Sequence, residues 1–330
     1  MLTILDKLPE GILYYNADQL HEILNGPTLI HLQGVRKKPV FISVLLHGNE
    51  HSGWQAIQHL LKEPDVQLPR SISLFIGNVS AAKLSLRHLP EQLDYNRIWD
   101  GRGDSEEHTM VRQVLEEMKS RDVFAVIDVH NNTGYNPHYA CINELDDHFK
   151  FFARKFGPLI VYFKQPDSVL SIAFAKLCPT VTLECGQSGD QSGIQRVVSF
   201  IEDTISMNSF PETISDVDLI SIYQTVAIIK IPPEVSIGFG ESNNDIQFDT
   251  DLEQYNFREI HENTRIAKIS ANARGRIIAV NDDGIDVTEK YFYQQDNYLK
   301  TRLSIIPAML TQNIDIIKND CLCYLMTQLE

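Results

Sequence analysis

In VLLHGNEHSG, residues 44–53, His47 and Glu50 stand three apart, where an apolar run stops and a helical pattern begins. An imidazole and a carboxylate on one turn can reach the same metal ion. His130, in DVHNNTG, supplies a second imidazole from the end of another apolar run. Two imidazoles and one carboxylate form a catalytic zinc set, because three protein ligands leave a fourth position for water. Glu184, the last residue of TVTLE, then remains as an unligated carboxylate suited to the work of a general base. HxxE alone is a weak signal, since a glutamate in a first helical turn is favoured by the helix dipole without any ligand. Three strand ends offering the set together say more, because ligands of open α/β sheets bind at that edge.

DYNR at 94–97 puts Asn96 and Arg97 side by side, which suits two-point recognition of a substrate carboxylate. Asp94 suits the outer partner that a ligating histidine needs on its far nitrogen. A turn with a surface ion pair is the plain alternative.

The elements that must carry these residues follow from the apolar patterning. PVFISVLL (39–46), SISLFIG (71–77), VFAVIDV (123–129) and TVTLE (180–184) read as strands, nearly continuous in apolar residues as strands covered on both faces are. Helical patterns lie between them at 52–62, at 106–119, in DDHFKFFARKFG with its terminal glycine cap, and at 194–205. This alternation predicts an α/β domain with a largely parallel sheet. Past residue 210, TVAIIKI and GRIIAV-NDDG-IDV alternate around turn residues, which predicts a smaller β-rich domain. The expected domains are 1–210 and 211–330, with the boundary near SMNSFPETISD, and the polar stretch 241–251 reads as a mobile loop.

Composition sets the outer bounds. The 330 residues carry a net charge of −15 with no Lys/Arg-rich block, which argues against nucleic acid as a partner. No stretch has the apolar length to cross a bilayer and the N-terminus lacks the pattern of a leader, so a cytoplasmic location with no membrane partner is expected. Five scattered cysteines with no CxxC pair read as reduced thiols, Cys321 and Cys323 pointing inward from a strand. His51 is expected to point away from the HxxE pair, and His88, His108 and His138 to be exposed. NDDGID reads as a hairpin turn, lacking the spacing of a calcium loop. Asn131 meets the glycosylation pattern, to no effect in a cytoplasmic chain.

HGNE, DYNR, DVHNNTG and TLECG (182–186) occur in the order seen in the succinylglutamate desuccinylase/aspartoacylase family of zinc carboxypeptidase-like proteins, which the chain resembles over about residues 39–205. The resemblance implies a zinc-carboxypeptidase-like α/β fold: a mixed, mostly parallel sheet flanked by helices, with a smaller β-rich C-terminal domain. It implies one Zn2+ per subunit on His47, Glu50 and His130, with Glu184 as catalytic base. It also implies that Asn96 and Arg97 hold the substrate carboxylate and that Asp94 backs the first zinc histidine. Arg87, in NVSAAKLSLR, matches the arginine that polarises the scissile carbonyl, although its spacer to DYNR is longer than in the family pattern. The aspartoacylase branch adds a tyrosine from the β-rich domain; Tyr291 and Tyr293 lie in that region, with no motif to fix the register.

The expected activity is hydrolysis of an N-acyl amino acid, a small anionic substrate, by a zinc-dependent amidohydrolase. A metallocarboxypeptidase acting on short peptides uses the same groups, and a zinc-fold protein that binds a ligand without turnover is the non-enzymatic alternative. A homo-oligomer is compatible with all three.

Overall fold

The computed structural model describes residues 1–62, 67–211, 220–240 and 243–329. It divides into two compact units, Met1–Asn131 with His138–Ser221, and Asn132–Pro137 with Ile222–Glu330. Of the stretch expected to hold the domain boundary, residues 212–219 lie outside the described residues.

The first unit is a mixed, mostly parallel sheet. In chain order its strands are β1 (Thr3–Leu5), β2 (Thr28–Leu32), β3 (Arg36–Val44), β4 (Arg70–Ile76), β5 (Ala125–His130), β6 (Tyr139–Ile142), β7 (Leu159–Tyr162) and β8 (Thr180–Glu184). In space they run β1-β2-β4-β3-β5-β8-β6-β7. β3, β4, β5 and β8 are mutually parallel, and antiparallel joins occur at β2/β4 and β6/β8. The four strands read from the sequence are the central ones, buried on both faces. The short flanking strands β1, β2, β6 and β7 lack a long apolar run and were not anticipated.

Helices cover both faces. α1 (Ser52–Leu60) and α6 (Gln191–Ser206) pack together on one side, where Gly53 lies against Val44 and Val129. Between α1 and α6 in the chain come α2 (Val79–Ala82), α3 (Glu106–Ser120), α4 (Asp147–Phe156) and α5 (Leu170–Ala175). α3 starts where the Ser105 hydroxyl accepts from the His108 N–H, with Glu106 and Glu107 in its first turn. It buries Met110, Val111, Val114 and Met118 on one stripe against Phe41, Phe75 and Val126. Phe174 of α5 stacks on Phe41 at 4.8 Å between ring centroids. Among the described residues no helix is long and apolar enough to cross a membrane.

The second unit is β-rich. Its strands are β9 (Ser221–Lys230), β10 (Ile237–Phe239), β11 (Ile246–Phe248), β12 (Arg265–Ile269), β13 (Ile278–Val280), β14 (Phe292–Gln295), β15 (Tyr298–Thr301), β16 (Ile306–Ala308) and β17 (Cys323–Gln328). β10-β11-β12-β15-β14 form one sheet, while β9 pairs with β13 and β17, and β17 with β16. The polar stretch expected to be a mobile loop contains β11, because Ile246 and Phe248 alternate inward around Gln247; Glu241 and Ser242 lie outside the described residues. NDDG is a hairpin turn, closed by the Gly284 N–H donating to the Asn281 carbonyl at 3.0 Å. Tyr291 is buried in this unit's core, and the Tyr293 hydroxyl donates to Asn263 Oδ1 at 2.7 Å.

Candidate metal centre

β3 ends at Val44, Leu45 takes a positive φ of 58°, and the chain turns into HGNE. That turn is packed tightly. A Cβ on Gly48 would lie 2.2 Å from the Ala82 backbone nitrogen and 2.3 Å from the Ala81 carbonyl carbon. Neither is a flexible side chain that can move aside. Gly48→Ala is therefore expected to cost about 1–3 kcal/mol through overpacking and to shift His47 and Glu50 together. Thermal denaturation read beside zinc titration checks this: both the midpoint and the affinity fall, whereas an unchanged affinity with a lowered midpoint would mean the turn keeps its shape.

His47, Glu50 and His130 converge, all three buried, with one candidate ligand atom from each lying within 4.8 Å of the other two. Glu50 sits between the imidazoles, its Oε1 2.7 Å from His47 Nδ1 and its Oε2 2.8 Å from His130 Nδ1. The far nitrogen of each ring also faces a carboxylate: His47 Nε2 is 3.1 Å from Asp94 Oδ1, and His130 Nε2 is 3.0 Å from Asp128 Oδ2. An imidazole flanked by acceptors at both nitrogens needs positive charge at each. On the outer side a proton serves. On the inner side, between Nδ1 and Glu50, either a proton or a metal ion serves, and two nitrogens with a carboxylate oxygen are the donor set of a divalent zinc-type ion. The residues present fit such an ion.

The electrostatics follow from the same contacts. Burial opposes ionisation of Glu50, but His47 and His130 outweigh it and hold the carboxyl below its usual range. Burial likewise opposes ionisation of Asp94, and His47, Arg87 and Arg97 outweigh it. Burial alone would depress the His130 imidazole, yet Asp128 and Glu50 raise it well above its ordinary value. Glu184 differs: burial dominates and pushes its carboxyl up to about 7. β5 and β8 run in register here, with His130 opposite Glu184.

The other expected site residues gather around this core. Arg87 Nε and one of its terminal nitrogens both lie 2.9 Å from Asp94 Oδ2, so the guanidinium grips the carboxylate that backs His47. The Asn96 N–H donates to Asp94 Oδ1 at 2.8 Å. Its side-chain amide lies 3.3 Å from His130 Nε2 and accepts from the Leu170 N–H at 3.0 Å, at the start of α5. Arg97 donates to the Asn96 carbonyl at 2.9 Å. His51 turns back to the Gly48 carbonyl at 2.9 Å.

The expected exposure of three other histidines is corrected. His88, His108 and His138 are half-buried, and one ring nitrogen of each finds a partner: the Leu89 carbonyl, the Ser105 hydroxyl and, from far along the chain, Asp190, at 2.8–2.9 Å.

Asp128 joins the site without having been expected from the sequence. The signal was present, since residues two apart on a strand share a face, so D-x-H at the end of β5 puts the carboxylate under the imidazole.

The succinylglutamate desuccinylase/aspartoacylase catalytic domain profile matches residues 36–200, half of the chain. The chain belongs to this family. No protein of curated function matches at a significant level. Solved structures of similar fold include the succinylglutamate desuccinylase of Chromobacterium violaceum, at 12% identity and TM-score 0.60, covering 92% of this chain and 88% of that one. A succinylglutamate desuccinylase/aspartoacylase from Rhodobacter sphaeroides gives 15% identity and TM-score 0.61 over 92% and 89%. Murine aminoacylase 3 gives 15% and 0.55 over 90% and 97%. In this desuccinylase/aspartoacylase-family chain the matched stretch contains HGNE, Arg87, DYNR, Asp128, His130 and Glu184.

Proposed function

We propose that this protein is a zinc-dependent amidohydrolase that removes the acyl group from an N-acyl amino acid. The observation that carries the reading is the buried His47–Glu50–His130 set, braced by Asp94 and Asp128, with Glu184 opposite His130 and poised near neutrality. Membership of the family and the neighbouring desuccinylase and aminoacylase folds point the same way. When bound, zinc supplies Lewis acidity and makes water a better nucleophile at neutral pH.

The chain's own residues do the rest. Glu184 takes the proton of the attacking water and returns it to the departing amine, a task for which a pKa near the working pH is best. Arg97, with Asn96 beside it, holds the substrate carboxylate and so fixes the amide against the nucleophile. Arg87 is assigned to the developing negative charge on the scissile carbonyl oxygen. Asp94 and Asp128 keep the two imidazoles turned with Nδ1 towards Glu50. The stretch 1–210 carries this chemistry, and 211–330 is the accessory β-rich domain. The five cysteines are thiols, which suits the reducing cytoplasm.

A mass-spectrometric turnover screen of the zinc-loaded protein against N-acetyl and N-succinyl amino acids and short peptides tests the reading. Release of free amino acid from an acylated one is the expected result. Trimming of peptide C-termini would replace it with a carboxypeptidase, and tight binding of one ligand without turnover would replace it with a binding protein.

A further inference from the structure

At the ends of β5 and β8 the chain alternates faces. His130 and Glu184 point to the site, so the next residues, Asn131 and Cys185, point behind it, towards the α1 side. There Asn131 gathers contacts from all three segments that build the centre. Its backbone N–H donates to Glu50 Oε2 at 3.2 Å. Its side-chain Oδ1 accepts from the Ser52 N–H at 3.2 Å, at the start of α1. Its Nδ2 donates to the Gly186 carbonyl at 2.9 Å and the Ser52 hydroxyl at 3.0 Å, with Cys185 Sγ at 3.3 Å. Ser52 Oγ in turn accepts from the Gly189 N–H at 3.0 Å, and Cys185 Sγ donates to the His130 carbonyl at 3.0 Å.

The orientation of this amide is dictated by its partners. A backbone N–H can only donate and a backbone carbonyl can only accept, so Oδ1 must face Ser52 and Nδ2 must face Gly186. The residue is buried, at 8% exposure. Gly186, with φ of +81°, turns the chain two residues after Glu184, and that turn is held from behind by Asn131. Apart from the backbone N–H on Glu50 Oε2, these contacts lie behind the site.

We propose that Asn131 is a positioning residue that ties the Glu184 segment to Glu50 and to the start of α1, and so sets the general base against the metal-ligand set. The kinetic arm of the test rests on the deacylase reading, while the exchange arm does not. Asn131→Asp keeps the shape and the acceptor towards Ser52 but turns an oxygen on the Gly186 carbonyl. Ser52→Ala is a milder cut in the same linkage.

Amide hydrogen exchange over residues 185–190, measured on the full chain, is expected to speed up by about tenfold in Asn131→Asp and Ser52→Ala as this segment opens locally. In zinc-saturated enzyme, kcat is expected to fall by roughly 10- to 100-fold with KM within about threefold, the signature of a displaced base rather than weakened binding. Unchanged exchange in both variants overturns the proposal. So does a kcat within about twofold of wild type in Asn131→Asp, which would mean that shape alone is enough. If wild type turns over no acylated substrate, the reading of the activity fails and the exchange arm alone decides this one.

Discussion

On the proposed function, replacing Glu184 by glutamine is expected to lower kcat/KM for the accepted N-acyl amino acid by roughly 100- to 10,000-fold and to leave zinc bound. The substitution keeps the shape of the residue opposite His130 and removes only the capacity to take a proton. Burial raises the Glu184 carboxyl from its ordinary value near 4.5 to about 7, so the base form is lost on acidification across neutrality. A divalent cation alongside favours the carboxylate, which places the acid limb of kcat/KM at or below about pH 7. In Glu184→Gln that limb is absent from whatever activity remains. Stability moves in the opposite sense. A carboxyl with a raised folded pKa contributes most below its unfolded value, and the contribution is lost as pH rises from about 4.5 through 7. The metal-free variant should thus gain stability over metal-free wild type at pH 8 and not at pH 4. Near-normal turnover of the zinc-loaded variant would falsify the assignment of Glu184 as base.

The central strands were legible because burial on both faces leaves long apolar runs, and TVTLE coincides with β8 from Thr180 to Glu184. The candidate site was legible for a related reason: polar residues that end such runs stand out against them, as His47, His130 and Glu184 do. What escaped depends on contacts distant in sequence. β6 is four residues long and lies between β8 and β7, antiparallel to the first and parallel to the second, an arrangement that no local pattern in YACI encodes. Asp128 was hidden inside a strand, where its apolar neighbours made it look like an interruption instead of the partner of His130. Asn131 read as an idle glycosylation site because its partners, Ser52 and Gly186, lie 79 and 55 residues away. A side chain that works by joining segments has no signature in any one of them.

Removal of zinc, by chelation or by His130→Ala, is expected to abolish turnover, and the size of the metal effect should depend on pH in a definite direction. In the metal-free protein burial lowers the His130 imidazole, but Asp128 and Glu50 outweigh it and raise it well above its ordinary range, which favours the protonated form. Zinc must displace that proton, and its apparent affinity therefore rises with pH. Stability runs the other way without metal. The raised imidazole contributes fully below about 6.5, its unfolded value, and that contribution is lost as pH climbs through the folded one. Glu184 loses its share over a lower part of the same range. Glu50, with a lowered pKa, keeps its contribution above its unfolded value near 4.5 and loses it only as pH falls through the folded one. The gap between zinc-bound and zinc-free melting temperatures should consequently widen from pH 6 to pH 9. Asp128→Asn provides the graded control: it leaves all three donors but weakens the brace on His130, for a loss of roughly 10- to 100-fold in zinc affinity or activity, whereas His130→Ala exceeds that. Competition titration with a chelator at several pH values measures both. A gap indifferent to pH, or equal losses in the two variants, would mean that zinc does not enter between His130 and Glu50, and the centre would have to be sought elsewhere.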